Sequence, residues 1–213
     1  MAETTEIRPM LFSPPMVKAI LRGYKTVTRR LTNLRDQSVV KAGPKTLASL
    51  GHPLVAASPP CYDGDILWVR EKWGRYLDLS TGTPTWKYAY FADGKERVPV
   101  GVDENGRELT TPVSWRPSIH MPKDAARLFL RVVNHRVERL QDIDAIGIRD
   151  EGLTSLAVCV GDMEIAKQEF AILWNSAIKK GDLSLFGWDA NPWVWRIEFQ
   201  RCEKPDGWPG GGA

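Results

Sequence analysis

Apolar positions along this chain change their spacing several times, and each spacing predicts an element. Ile66, Leu67, Trp68 and Val69 are consecutive and follow an Asp63-Gly64 turn, the pattern of a strand over residues 65–70 covered on both faces. Leu128, Phe129, Leu130, Val132, Val133 and Val137 mark the longest strand, over 127–140. Near the end, Trp193, Trp195, Ile197 and Phe199 alternate with Val194, Arg196 and Glu198, which predicts a half-buried terminal strand. Over 84–92 the alternation puts Trp86, Tyr88 and Tyr90 on one face. Asp93-Gly94 then reads as a hairpin turn into a strand over 96–102, and Glu104-Asn105-Gly106 as a second turn that extends a meander. A shorter strand is expected over 8–12.

Helical spacing appears in three places. Ile165, Ala166, Phe170, Leu173, Trp174, Ala177 and Ile178 recur as on one helix face, and Gly181 follows the basic last turn Lys179-Lys180. A shorter helix spans 13–22, with Ser13 as N-cap, Pro14 at the first helical position and Gly23 just past the end. A third is expected over 141–147, ending near Gly147. Residues 32–62 show no period and many turn formers, so they read as an insertion loop with one helical turn at 45–50. Trp115-Arg116-Pro117-Ser118-Ile119-His120-Met121-Pro122 is too rich in proline for an internal strand and reads as an ordered loop. From Lys204 onward the Gly/Pro-rich end is expected to be disordered.

At 213 residues the chain is long enough to bury its own core without a metal or disulfide. Net charge is only +3, but arginine outnumbers lysine by 17 to 12, and guanidinium forks match phosphates and stack on bases. Cys61, Cys159 and Cys202 have no C-x-x-C spacing, and His52, His120 and His135 are scattered, so neither a disulfide framework nor a metal site is expected. That cysteine usage, with no leader and no run of 18 apolar residues, points to a cytoplasmic protein without a membrane span. Nine tryptophans stand out, as core anchors or as platforms for bases.

The segment with the most chemistry is Gly23-Tyr24-Lys25-Thr26-Val27-Thr28-Arg29-Arg30, which gathers an amine, hydroxyls and two guanidiniums behind a helix stop. Gly23-x-Lys25-x-x-Thr28-x-Arg30 resembles the signature of the ASCH domain, a member of the PUA-like group of small β-barrels. Three further pieces follow in family order: Gly64-Asp65-Ile66-Leu67-Trp68-Val69-Arg70-Glu71, then Asp150-Glu151-Gly152-Leu153, then Trp193-Val194-Trp195-Arg196-Ile197-Glu198-Phe199. Together they span most of the chain and look most like the longer phage and prophage versions of the family.

The resemblance implies an α+β fold, a PUA-like small β-barrel with flanking helices, forming one domain over 1–203 with insertions near 32–62 and 74–115. It also implies an activity, because some small bacterial ASCH proteins remove the acetyl group from N4-acetylcytidine with a lysine, a threonine and a downstream glutamate. Lys25 and Thr28 match the first two positions and Glu151 the third, with Asp150 and Glu71 as competing carboxylates. In that chemistry a neutral lysine activates the threonine hydroxyl, the glutamate moves a proton to the leaving amine, and Arg30 stabilises the oxyanion.

A non-catalytic reading uses the same residues to bind: Lys25, Arg29 and Arg30 on phosphate, Trp68, Trp73 or Trp115 on bases, and Glu71 at the end of the tryptophan strand. The expected partner is a nucleoside or single-stranded RNA, with no cofactor. A third reading, a phage assembly or anti-defence protein, would use the aromatic segment 84–92 as its partner surface. One geometric condition follows for catalysis: in a regular strand Lys25 and Thr28 point to opposite faces, so they cooperate only across a turn or bulge.

Overall fold

The computed structural model describes residues 5–32 and 59–209, with α-helices and β-strands mixed along the chain. In chain order the elements begin β1 (Ile7–Leu11), α1 (Pro14–Leu21), β2 (Val27–Leu31), β3 (Ile66–Arg70), β4 (Trp73–Asp78), β5 (Thr85–Tyr90), β6 (Arg97–Val102) and β7 (Glu108–Pro112). They continue with β8 (Phe129–Arg139), α2 (Ala145–Asp150), α3 (Leu156–Val160), α4 (Met163–Ser176), α5 (Leu183–Phe186) and β9 (Trp193–Cys202). Five strands share one sheet in the order β1-β3-β8-β9-β2, and β4-β5 and β6-β7 form two separate ribbons. The expected insertion loop over 32–62 falls mostly outside the described residues.

The chain, read from sequence as one domain, divides into two compact units built from interleaved segments. The first comprises Met1–Glu6, Arg22–Asp65 and Arg131–Gln200. Here β2 runs antiparallel to β9, from Val27 opposite Glu198 to Leu31 opposite Val194, without a bulge. Its apolar core gathers Leu140, Ile143, Ile148, Ala157, Ala166, Phe170 and Val194, with Trp174 and Trp188 packed against them. The long helix forms as its periodicity requires, and Asp162 caps it by accepting from the Ile165 amide at 3.2 Å.

Two expectations in this unit need correction. The helix expected over 141–147 lies later: Leu140–Asp142 is a single 3-10 turn, and α2 starts behind Asp144, whose carboxylate accepts from the Gly147 amide at 2.7 Å. Gly147 therefore sits inside the helix rather than at its end. The terminal strand is not half-buried. As an internal strand of the sheet, β9 buries Val194, Arg196, Ile197 and Phe199 on both faces, so alternation in its sequence marks two covered environments rather than core and solvent.

The second unit comprises Ile7–Leu21, Ile66–Leu130 and Arg201–Ala213. Strand β1 pairs parallel with β3, Ile7 opposite Ile66 through Leu11 opposite Arg70, and β3 is buried along Ile66 to Val69 as its continuous apolar run implied. The aromatic strand β5 pairs with β4, Trp73 opposite Tyr90 and Asp78 opposite Thr85, so Asp93-Gly94 is not the hairpin expected from sequence. Phe91–Asp93 is a 3-10 turn closed by left-handed Gly94, and the hairpin bend falls within 79–84, where Asp78 Oδ1 accepts from the Ser80 amide at 2.9 Å. Around Glu104-Asn105-Gly106 the expected turn does join β6 to β7.

Lys204 to Pro209, expected without fixed structure, carry an anchor. The Trp208 ring lies 5.5 Å from Trp68 and 5.3 Å from Phe129, and its indole N–H donates to the Lys123 carbonyl at 2.8 Å. Removing residues 204–213, or changing Trp208 to Ala, should lower the unfolding free energy by about 2–3 kcal/mol in a urea titration, since a half-buried indole and its hydrogen bond are lost. An unchanged midpoint would show that the ring contributes nothing.

Candidate functional site

The site is built in the first unit from a short chain segment and the end of a helix. Gly23 takes a left-handed conformation, φ 77°, that a side chain would strain, and so ends the preceding helix where Lys25 can begin a new pairing. Lys25 forms an isolated antiparallel bridge with Glu151, the C-cap of α2. Next to it the Thr26 amide donates to the Asp150 carbonyl at 2.8 Å, and the Thr26 carbonyl accepts from the Phe199 amide at 2.9 Å. Main-chain hydrogen bonds on both sides thus fix where the Lys25 side chain starts.

That side chain ends in a buried charge cluster. The Lys25 ammonium donates to the main-chain carbonyl of Glu151 at 3.0 Å and forms a short ion pair with its Oε2, across 126 residues of sequence. The other oxygen, Oε1, accepts from Arg29 Nη1 at 3.1 Å. Arg29 in turn donates through Nε to Glu138 on β8 at 2.8 Å. Two cations and two carboxylates therefore alternate, with Lys25 only 2% and Glu151 7% exposed. Taking such ions out of water costs several kcal/mol each, which this arrangement offsets only while every member is present.

Gly147 provides the room. A Cβ there would stand 3.0 Å from Arg29 Nη2 and 3.1 Å from both Asp144 Oδ1 and Ile143 Cγ1. Arg29 packs over α2 because that helix lacks a side chain at this point. Burial pushes the Lys25 amine below its ordinary value; Glu151 opposes that shift, and Arg30 and Arg29 add to it. The result is an amine held beside a carboxylate away from the protein surface, where burial favours its neutral form and Glu151 its charged form.

Thr28 is placed differently. It is 1% exposed and lies opposite Ile197 in an unbulged ladder, so it points to the face of β2 opposite Arg29. Because Lys25 and Arg29 hold the two oxygens of one carboxylate, Thr28 is set away from the side they share. Among the described residues no hydrogen bond joins its hydroxyl to Lys25 or Glu151. Arg30 is half-buried opposite Trp195, and burial lowers its pKa while Glu151 opposes the shift.

Of the competing carboxylates, Asp150 is partly exposed and accepts weakly from Arg149 at 3.4 Å. Glu71 belongs to the second unit, where Arg127 binds both its oxygens, at 2.8 and 3.0 Å. Arg127 also reaches Asp93 and lies 3.8 Å from the Tyr90 ring centroid. Burial raises the Glu71 pKa against the pull of Arg127. Trp68 is 4% exposed beneath Trp208, and Trp115 packs edge-on to Phe91 and against Ala89, Val98 and Val113. In this structure both indoles serve packing. Among the described residues no group of three or more His, Cys, Asp or Glu is placed to hold a metal, and no helix is long and apolar enough to cross a membrane.

Sequence reasoning missed Glu138, Asp144 and Gly147. A signal for Glu138 was present: on the second half of β8, Asn134, Arg136 and Glu138 alternate with Val133, His135 and Val137, which marks a polar face.

No family model matches this chain, and no curated protein matches it. Among solved structures, an ASCH domain from Lactobacillus crispatus JV V101 is similar at 12% identity and a TM-score of 0.36, covering 92% of this chain and 79% of that one.

Two measurements test the cluster. Glu151→Gln should destabilise the protein by about 3 kcal/mol at neutral pH, because it leaves two buried cations short of a counter-charge. In the native protein Lys25 binds its proton less tightly than in the unfolded chain. Its contribution to stability therefore rises with pH between the folded value and 10.5. Loss of Glu151 lowers the folded value further, so in urea titrations the variant's deficit should shrink as pH rises through the two folded values, both below 10.5. A pH-independent deficit would mean that Lys25 is not titrating against Glu151. Gly147→Ala, which in an open helix would add up to about 1 kcal/mol, should instead cost about 1–3 kcal/mol by crowding Arg29. A gain in stability would show that Arg29 has room to move.

Proposed function

We propose that this chain is an ASCH-type, PUA-like protein of the longer phage or prophage kind, which binds a nucleobase or nucleoside, free or within single-stranded RNA. In this reading the five-stranded sheet is part of the wall of the family's small barrel. The observation that carries it is the meeting of Lys25 and Glu151, two members of the resemblance's motifs, in one buried ion pair with Arg29. An ammonium only donates and a carboxylate only accepts, so side by side they match a base edge with an acceptor beside an amino donor, as cytosine has. The excess of arginine suits the phosphates of a polymer.

Hydrolysis of an N4-acyl amide is the second reading, favoured by the depressed pKa of Lys25 next to a carboxylate. In its full form neutral Lys25 takes the proton from the Thr28 hydroxyl and the oxygen attacks the acyl carbon. The C–N bond breaks as the amine receives a proton by way of Glu151, and water then cleaves the acyl-threonine ester. That route requires Thr28 to reach the Lys25 side of β2, and the unbulged pairing of Val27–Leu31 weighs against it. Binding is therefore the primary reading.

Calorimetric titration with N4-acetylcytidine and with cytidine, alongside chromatography of the incubated mixture, separates these readings. The expected result is saturable binding without conversion, weakened at least about tenfold in Glu151→Gln, which loses a charge-assisted hydrogen bond. Conversion to cytidine that disappears in both Lys25→Ala and Thr28→Ala would establish the hydrolytic reading instead. No binding and no conversion would contradict both.

A further inference from the structure

Beside the buried ion pair the first unit contains a cavity of about 500 Å³, within the usual range of about 300–1,000 Å³ for small-molecule sites. Its walls come from the chain neighbours of the paired residues rather than from the pair itself: Tyr24 on one side of Lys25, and Asp150 and Arg149 before Glu151. Leu153 and Val158 supply an apolar wall, and Cys159 completes it. The Thr26-to-Asp150 main-chain hydrogen bond spans the two sides, so the cavity and the Lys25–Glu151 bridge share one rigid rung.

The chemistry of this lining is specific. Tyr24 is 52% exposed, an aromatic ring next to left-handed Gly23 with a face available for stacking. Arg149 has a largely exposed guanidinium whose ion pair with the adjacent Asp150 is long at 3.4 Å and easily exchanged for a phosphate. Asp150 offers carboxylate oxygens that accept from a ribose hydroxyl or an exocyclic amine. Ring, cation and acceptor around one concavity correspond to base, phosphate and sugar.

We propose that this cavity is a second nucleotide subsite, taking the residue next to the base held at Lys25 and Glu151, so that the ligand is single-stranded RNA rather than a free nucleoside. The inference rests on the base-binding reading above and extends it to the polymer. Tyr24 stacks the neighbouring base, Arg149 holds the phosphate, and Asp150 accepts from the 2′-hydroxyl.

The test compares cytidine, a cytidylate hexamer of RNA and the same hexamer of DNA, titrated against wild type, Tyr24→Ala, Arg149→Ala and Lys25→Met. Alkylation of Cys159 by iodoacetamide reports occupancy of the cavity, because Cys159 is exposed whereas Cys61 is buried and Cys202 half-buried. The RNA hexamer should bind at least about tenfold more tightly than cytidine, and than DNA, one charge-assisted contact being worth roughly that factor. Tyr24→Ala and Arg149→Ala should bring the hexamer down to the affinity of cytidine without changing cytidine itself. RNA, but not cytidine, should slow Cys159 alkylation. Cytidine binding as tightly as the hexamer, with Cys159 unprotected, would overturn the subsite and leave the base-binding reading in place. Hexamer binding that depends on Tyr24 and Arg149 but survives in Lys25→Met would keep the subsite and overturn a base at Lys25. Binding of neither ligand would remove both.

Discussion

The buried pairing of Lys25 with Glu151 is the constraint from which the rest of the first unit follows. An ammonium without solvent must have a counter-charge, and the carboxylate that supplies it lies 126 residues away on the last turn of a short helix. That helix must therefore end where β2 begins. Asp144 starts it, Gly147 lets Arg29 lie across it, and Arg29 takes the second oxygen of Glu151 while Glu138 fixes Arg29 from β8. Such a cluster is poor as a source of stability, since apolar side chains of equal volume would often do as well. Its presence in place of Leu or Met is the physical reason to read the location as a functional site.

The second unit contains a comparable arrangement with a different character. Arg127 holds both oxygens of Glu71, touches Asp93 and covers the Tyr90 ring, which ties β3, β5 and the 3-10 turn after it into one assembly. Both carboxylate oxygens of Glu71 are occupied by a single rigid fork, and this explains the pair as architecture. At Glu151 the two oxygens go to two separate cations, Lys25 just before β2 and Arg29 on it, so the carboxylate is shared rather than held by one fork.

Much of this was legible in the sequence where local rules decide the outcome. The Ser13-Pro14 start and Gly23 stop, the continuous Ile66–Val69 run, the long strand and the helix from Met163 each follow from period and capping, and each is present. What sequence could not supply was the choice among competing turns and the use made of polar positions. Asp93-Gly94 has hairpin chemistry, but tertiary pairing of Trp73 with Tyr90 makes the hairpin at the preceding bend. Gly147 resembles a helix stop, yet its role is to clear space for a guanidinium from another element. Trp68 and Trp115 are as suited to stacking bases as to packing, and only their neighbours Trp208 and Phe91 decide between the two. The convergence of Lys25 with Glu151 came from the motif resemblance; the opposition of Thr28 came from strand alternation, which the regular register of β2 upholds.

Lys25 and Glu151 act as one interacting pair, and a double-mutant cycle measures their coupling. Unfolding free energies of wild type, Lys25→Met, Glu151→Leu and the double variant give the coupling between the two positions. Each single change should be strongly destabilising and the double variant should recover much of the loss, a coupling of about 2–3 kcal/mol, because removing both charges removes the buried unpaired ion that each single variant leaves. Additivity of the two losses to within about 0.5 kcal/mol would contradict it.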